Sequence, residues 1–511
     1  MLYRKFLPVL LALLLGACAS LPPLDGRNPS SVIGGTADTP LGLAIEPMSA
    51  AHAGLSGIYP LADGRDAFAA RALLADAAQR SLDVQYYIWH RDLTGTLLFD
   101  ALRKAAERGV RVRLLLDDNN TSGLDQLLAL LDSQPNIEVR LFNPFIPRAP
   151  RALAFIGDFS RLNRRMHNKS FTADNQAAIV GGRNVGDEYF GAAGDMMFSD
   201  LDVLAVGAAV DTISRDFDRY WNSQSAYPVA SLLAKNAPQD SAMLKQEAAR
   251  VAGSPQAREY MKALRESPMV ASMMQRSLPF VWAPARLVSD DPAKVLGQAA
   301  PDSKVAQKLQ QLLGQPETEL DLVSPYFVPG KEAEAAFEAM SRRGIQVRIL
   351  TNALEATDVA AVHAGYAKWR KPLLRAGVTL YESRRQWEKS NARERSGPFG
   401  SSASSLHAKT FAVDGKRIFV GSFNFDPRSI ELNTEMGLVI DSPVLARQLA
   451  TAMRHSVPLR AYQVRLNDDG SLYWIARNGD SEVRYDTEPG ASYWKRLGVG
   501  ILSLLPIDWL L

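Results

Sequence analysis

Four stretches of this chain recur in the same order further along it, and that duplication constrains the fold more than any other feature. SLDVQYYIW (81–89) matches ELDLVSPYF (319–327) at an offset of 238, and RGVRVRLLLDDN (108–119) matches RGIQVRILTNAL (343–354) at 235. IEVRLFNP (137–144) pairs with GVTLYES (377–383), and HNKSFTAD (167–174) with HAKTFAVD (407–414) at 240. Short apolar strands resemble one another by chance, but four matches in register do not arise that way. The chain is therefore read as two halves of one design.

Within each half strands alternate with helices. LDVQYYIW and VRVRLLLDD are rich in strand formers, and LLFDALRKAAERG between them has helical period and a closing Gly109; EAEAAFEAMSRRG, closing at Gly344, is its counterpart. Strands joined by helices predict parallel pairing in an α/β sandwich. In KTFAVDGKRIFVGS apolar residues alternate, and Asp414-Gly415 marks a hairpin. The expected boundaries are a leader at 1–17, a linker at 18–60, a first half at 61–224, a connection at 225–317, a second half at 318–450 and an extension at 451–511. SPMVASMMQRSLPF in the connection reads as an inserted helix.

Both copies of the last repeat read H-x-K-x-x-x-x-D, in a chain with six histidines. One H-x-K carries no information; two copies in register carry a great deal. On a strand, residues i and i+2 share a face, so His167 lies with Lys169 and His407 with Lys409. A fixed ammonium beside each imidazole repels a cation and suits an anion, most simply a phosphate, so no metal or other cofactor is expected. Two such strands facing one another would let one imidazole attack phosphorus while the other protonates the departing alcohol. Gly182 and Asn184 follow His167 at the offsets at which Ser422 and Asn424 follow His407, and all four are expected as phosphate-binding or supporting positions. Asp200 and Glu435 are the carboxylates expected to fix the histidine tautomers, with Asp202 the less favoured choice. Asp174 and Asp414 complete the word and are counted with the catalytic set. Their odd offset puts them on the opposite strand face, however, so a turn-forming or supporting role is expected.

These paired words, with the G-[GS]-x-N extension and the later acid, resemble the HKD motifs of the phospholipase D superfamily. SPYFVPG, FSDLDVLAVG, WAPARLVSDDPAK and LLPIDWLL are similar to its cardiolipin synthase C-type branch. The resemblance implies two phospholipase D-like α/β/α halves packed pseudo-symmetrically around one active site. It also implies a metal-free phosphatidyl transfer through a covalent phosphohistidine, with phosphatidylglycerol and a second phospholipid, phosphatidylglycerol or phosphatidylethanolamine, as substrates. His167 is then the nucleophile and His407 the general acid and later base; the near symmetry of the halves leaves the reverse assignment open. A phospholipid hydrolase would share every one of these residues. An HKD nuclease is disfavoured by a formal charge of only +3, since nucleic acid calls for a basic groove. A non-enzymatic scaffold would not need both words intact.

The ends of the chain point to a membrane. Arg4 and Lys5, an apolar run from Phe6 to Leu15, and Leu-Gly-Ala before Cys18 resemble a lipoprotein leader, and Cys18 is the one cysteine in the chain. Lipidation there would anchor the protein in the cell envelope facing the periplasm, at the inner or the outer membrane. YWKRLGVGILSLLPIDWLL is too short and too interrupted by Pro506 to span a bilayer, but Trp494 and Trp509 suit its interface. SRRQWEKSNARERSGPFGSSASS (383–405) reads either as an ordinary loop or as a basic flap facing anionic headgroups.

Overall fold

The computed structural model describes residues 21–25, 27–192, 197–233, 242–385, 404–479 and 481–503. Cys18, Trp509, Pro506 and most of the 383–405 segment lie outside them.

Two mixed sheets form the molecule, one per half. The first has nine strands, in the order Val281–Ala283, Ser56–Leu61, Asp202–Gly207, Ala177–Gly181, Ser170–Ala173, Ser81–Tyr86, Arg111–Asp117, Ile137–Phe142 and Ala226–Pro228. The second has ten, in the order Ala285–Ser289, Met436–Ile440, Arg417–Gly421, Lys409–Val413, Glu319–Val323, Gln346–Asn352, Thr379–Ser383, Ala461–Leu466, Leu472–Asn478 and Ser481–Tyr485. In each, only three neighbouring strands run parallel, from 81 to 142 and from 319 to 383; the rest pair antiparallel. Parallel pairing thus holds where helices intervene. The histidine-bearing strands double back through tight turns, which only antiparallel pairing permits.

The helix Leu93–Glu107 shows why the local sequence folds as it does. Asp92 caps it by accepting from the Gly95 amide (2.9 Å), and Leu98, Phe99, Leu102, Ala105 and Ala106 are buried on one side of it. Gly109 ends the turn at φ +93°, and Gly344 does so in the second half at +82°, a conformation that a Cβ would strain. The duplication extends to buried charge. Arg113 pairs with Asp83 (2.7 Å) in the first sheet, and Arg348 pairs with Asp321 (2.6 Å) at the equivalent place in the second. Each arginine also reaches a second acid, Asp218 for Arg113 (2.7 Å) and Glu319 for Arg348 (2.6 Å), so the buried charge is shared in both halves.

The strand alternation also builds the junction between the halves. Leu204 and Val206 point into the first half's own core, and Phe419 and Val439 into the second's. Their neighbours Val203, Ala205, Val180, Ile418, Val420 and Leu438 point the other way and merge in one shared cluster. The sheets therefore meet face to face, with their histidine-bearing strands close to the seam.

Three expected boundaries shift. Ser56–Leu61, placed in the linker, is an inner strand of the first sheet. The connection supplies Val281–Ala283 to the first sheet and Ala285–Ser289 to the second, while also holding the expected helix, Pro268–Met274. The C-terminal extension adds the last three strands of the second sheet. These segments cover sheet edges that the repeated part leaves bare.

Candidate active site

Both histidines sit just before the antiparallel strands that return beside the parallel ones, so they lie at the carboxyl end of the parallel strands. Each is fixed by its own half and by the other. Asp117 ends one parallel strand and accepts from the Met166 amide (2.8 Å) while pairing with Arg165 (2.7 Å). Asn352, its counterpart, grips Leu406 through both amide groups, Nδ2 donating to the carbonyl (2.9 Å) and Oδ1 accepting from the amide (3.1 Å). The residue before each histidine is thus pinned to its own sheet.

The cross-half contacts are backbone pairings. The His167 amide donates to the Thr434 carbonyl (2.9 Å), and the Thr434 amide to the Arg165 carbonyl (2.9 Å). Ser404–Leu406 pairs in parallel with Met197–Ser199, and the His407 amide donates to the Ser199 carbonyl (2.7 Å). The residue that follows each of these contacts is the acid. Glu435 therefore meets His167, with Oε2 2.8 Å from Nδ1, and Asp200 meets His407, with Oδ2 2.5 Å from Nδ1. The acids are exchanged: each half orients the other half's histidine. Asp202 is used otherwise, pairing with Arg71 (2.8 Å) and lying 3.5 Å from Arg183.

With each Nδ1 facing a carboxylate, Nε2 lies on the far side of each ring. Tyr87 lies edge-on to His167 and Tyr189 edge-on to His407, with ring centroids 5.0 and 5.3 Å apart. Lys169 Nζ donates to the His167 carbonyl (2.5 Å), and Lys409 Nζ donates to the His407 carbonyl while lying 3.0 Å from its Nδ1.

Burial sets the protonation. It pushes His167 down to about 4, opposed by the Glu435 carboxylate and reinforced by both ammoniums. His407 is lowered by burial and then by Lys409. Burial brings Lys169 down to about 7 and Lys409 to about 8, against the pull of the neighbouring carboxylates. Burial alone would raise the two acids, but His407, Lys409 and Arg183 hold Asp200 well below the usual carboxylate range. His167, Lys169 and the Ser422 hydroxyl do the same for Glu435. The resting site thus sets two carboxylates against two lysines whose ammonium form burial weakens, with both imidazoles disposed by burial toward the neutral form.

Several expected phosphate contacts prove to be supports. Ser422 donates to Glu435, which also accepts from Ser429 (2.8 Å). Gly182 makes room for Asp200: a Cβ there would stand 2.2 Å from Asp200 Oδ1. Asn184 is engaged at both ends, Oδ1 accepting from the Ile88 amide (3.1 Å) and Nδ2 donating to Tyr189 OH (3.1 Å). Asn424 is buried, and its side-chain oxygen has no partner among the described residues.

Asp174 and Asp414 do not belong with the catalytic groups. Each occupies a hairpin turn at positive φ (50° and 54°) and accepts backbone amides. Asp174 takes those of Gln79, Arg80 and Ser81, at 2.7–2.9 Å; Asp414 takes those of Glu317, Thr318 and Glu319, at 2.7–3.1 Å. Both clip the start of a parallel strand to the turn, at the end of the sheet away from the histidines.

Sequence reasoning missed the two tyrosines and Asp290. Asp290 accepts from the Glu435 amide (2.8 Å) and pairs with Lys294 (2.9 Å), so the DDPAK stretch holds the acid in place. Its signal was the Asp/Lys spacing of i, i+4 in an otherwise unassigned connection.

The comparisons with known proteins agree with this geometry. A family described as "Cardiolipin synthase, PLD-like domain" matches twice, over residues 73–221 and 309–457. Cardiolipin synthase C of Escherichia coli (strain K12) is 49% identical, over 92% of this chain and 99% of its own. Cardiolipin synthase B of Salmonella typhimurium (strain LT2) is 25% identical, over 71% of each chain. Among solved structures, phosphatidylserine synthase from Haemophilus influenzae Rd KW20 shares the fold, with a TM-score of 0.54 at 15% identity over 80% of this chain and 87% of its own. A duplicated domain match and a full-length relative at this identity show that the chain belongs to the cardiolipin synthase family with phospholipase D-like domains.

Proposed function

We propose that this protein is a phosphatidyltransferase that makes cardiolipin from phosphatidylglycerol and a second phospholipid, phosphatidylglycerol or phosphatidylethanolamine. The observation that carries this reading is the crossed pair of histidine–carboxylate contacts, which orients both imidazoles by Nδ1, each through the other half's acid. Neutral His167 attacks phosphorus of the donor lipid through Nε2, and the P–O bond to the headgroup alcohol breaks. His407, protonated, gives its Nε2 proton to the departing alcohol, which leaves as glycerol or ethanolamine. His407 then takes the proton from a hydroxyl of phosphatidylglycerol, whose oxygen attacks the phosphohistidine and releases His167.

The charge balance of the site suits this sequence. With both lysines charged, two carboxylates match two ammoniums, so an incoming phosphodiester monoanion is neutralised by one added proton on an imidazole. The substrate thereby recruits the general acid it needs. The same anion raises Lys169 and Lys409 and holds them charged against its oxygens.

On the same reading the protein is held at the cell envelope through lipidated Cys18, with its C-terminal helix at the lipid interface. That helix, Tyr493–Leu502, buries Val499 but leaves Trp494 76% exposed. Among the described residues no helix is long and apolar enough to cross a membrane. The direct test is purified protein with labelled phosphatidylglycerol, with and without phosphatidylethanolamine, and products identified by mass. Cardiolipin is the expected product. Phosphatidic acid alone would assign a hydrolase, and no lipid product would overturn the reading.

A further inference from the structure

The segment that links the strand Ile137–Phe142 to His167 projects an apolar surface that the chemistry does not use. It contains two short helices, Arg151–Gly157 and Phe159–Leu162. Ala154 and Leu162 are buried beneath them, whereas Leu153 is 46%, Ile156 80% and Phe159 37% exposed. Leu153 and Ile156 lie one turn apart on the first helix, and Phe159 opens the second. An isoleucine so exposed covers little among the described residues.

Its position in the fold gives the surface meaning. Arg151 donates to the Asp118 carbonyl (2.6 Å) and Arg148 pairs with Asp118 (2.9 Å), immediately after the strand Arg111–Asp117. Asn143 Nδ2 donates to the carbonyls of Arg161 (2.9 Å) and Arg164 (2.6 Å). The arm is thus fastened at the carboxyl end of the parallel strands, where both histidines lie. The C-terminal helix is fastened at the same end of the other half: Lys495 Nζ donates to the Leu354 carbonyl (2.6 Å), just past the strand Gln346–Asn352. It too shows apolar residues outward, Tyr493, Trp494, Leu497 and Ile501. Of the five arginines in residues 143–165, Arg148, Arg151, Arg161 and Arg165 are ion-paired with Asp118, Asp125, Asp158 and Asp117 and fasten the arm. That leaves Arg164 without an acid partner among the described residues, while residues 493–502 hold Lys495 and Arg496 with no acid.

We infer that the 151–162 arm is a second bilayer contact, which with the C-terminal helix seats the catalytic end of the molecule on an anionic phospholipid surface. This rests on the proposed action on membrane phospholipids, and it adds a first-half contact to the one at the C-terminus. Exposed apolar side chains on both flanks of one site, with Arg164 beside one set and Lys495 and Arg496 beside the other, match a surface with an apolar interior and anionic headgroups. Two contacts, one per half, would turn the site toward the lipid.

The test needs no turnover, so it is independent of whether phosphatidyl transfer is observed. Cys18→Ser removes the only cysteine, and the uncleaved leader keeps the full chain on the vesicle in every variant. A nitroxide is then placed at Ile156→Cys, Leu497→Cys or Val444→Cys. Val444 is 56% exposed and follows the strand Met436–Ile440, at the end remote from the histidines. On phosphatidylglycerol–phosphatidylethanolamine vesicles, the labels at 156 and 497 should gain access to oxygen relative to a water-soluble nickel chelate, by roughly fivefold or more. The label at 444 should stay aqueous. Adding Phe159→Asp should return the 156 label to water. A 156 label as water-accessible as the 444 label would overturn the inference. So would shielding without vesicles that grows with protein concentration, which would assign the arm to contact with a second copy of the chain.

Discussion

Glu435→Gln should slow attack by a histidine that belongs to the other half of the molecule. Glu435 accepts from His167 Nδ1 at 2.8 Å and also from Ser422 and Ser429. The Ser422 hydroxyl already accepts from the Met436 amide (3.0 Å), so its own proton is committed to Glu435. An amide in that place has a single oxygen. Oε2 accepts from both His167 Nδ1 and Ser422 and Oε1 from Ser429, so an amide oxygen settles at the Oε2 position and turns its N–H₂ toward Ser429. His167 keeps its tautomer but loses the negative charge behind Nδ1. Losing a buried charge-assisted hydrogen bond costs about 1.5–3 kcal/mol, or roughly tenfold to a hundredfold in the first step. Asp200→Asn should fall as far, but through the proton that His407 gives to the leaving alcohol. The two can be separated with a donor lipid bearing p-nitrophenol, which departs without a proton. Single-turnover release of p-nitrophenolate should be largely restored in Asp200→Asn and should stay roughly tenfold to a hundredfold down in Glu435→Gln. The opposite pattern, rescue of Glu435→Gln alone, would refute the crossed assignment of roles.

The pH profile of kcat/KM should fall below about pH 4, where His167 is protonated, and again above about 7–8, where Lys169 and Lys409 lose their charge in the free enzyme; in kcat the alkaline limb should move upward, because bound phosphate raises both lysines. Gly182→Ala should inactivate through a Cβ placed 2.2 Å from Asp200 Oδ1, while Ser422→Ala, which removes one of the bonds to Glu435, should lose only about tenfold; steady-state rates with circular dichroism as a folding control decide it. Asp174→Ala should destabilise by about 3 kcal/mol by stranding buried amides, and the more exposed Asp414→Ala by about 1 kcal/mol, with near-normal turnover in the folded fraction. Urea unfolding and rates below the transition would check both.

The repeat made the duplicated strands, the histidine–lysine pairs and the two acids legible, because each appears twice and parity along a strand fixes its face. The same parity put Asp174 and Asp414 away from the chemistry. What sequence could not give was partnership. Offsets count residues within a half, whereas the match of Glu435 with His167 depends on Thr434 pairing with Arg165 across the seam. Nor could it give the sheet edges, since Ser56–Leu61, Ala285–Ser289 and Ala461–Leu466 lie outside the duplicated unit and owe their place to the bare edges they cover. Gly182 and Ser422 were read as open to phosphate. Their small size instead serves the acids packed beside them.

The most direct test of a single site built from two half-sites is the covalent intermediate itself. Rapid quenching of the enzyme with phosphatidylglycerol into alkali, which preserves phosphohistidine, followed by peptide mass spectrometry, locates the adduct. A phosphatidyl group on the peptide bearing His167, absent in His167→Ala and with a p-nitrophenyl donor accumulating in His407→Ala, is the expected result. An adduct on His407, or cardiolipin formed with no adduct on either histidine, would contradict it.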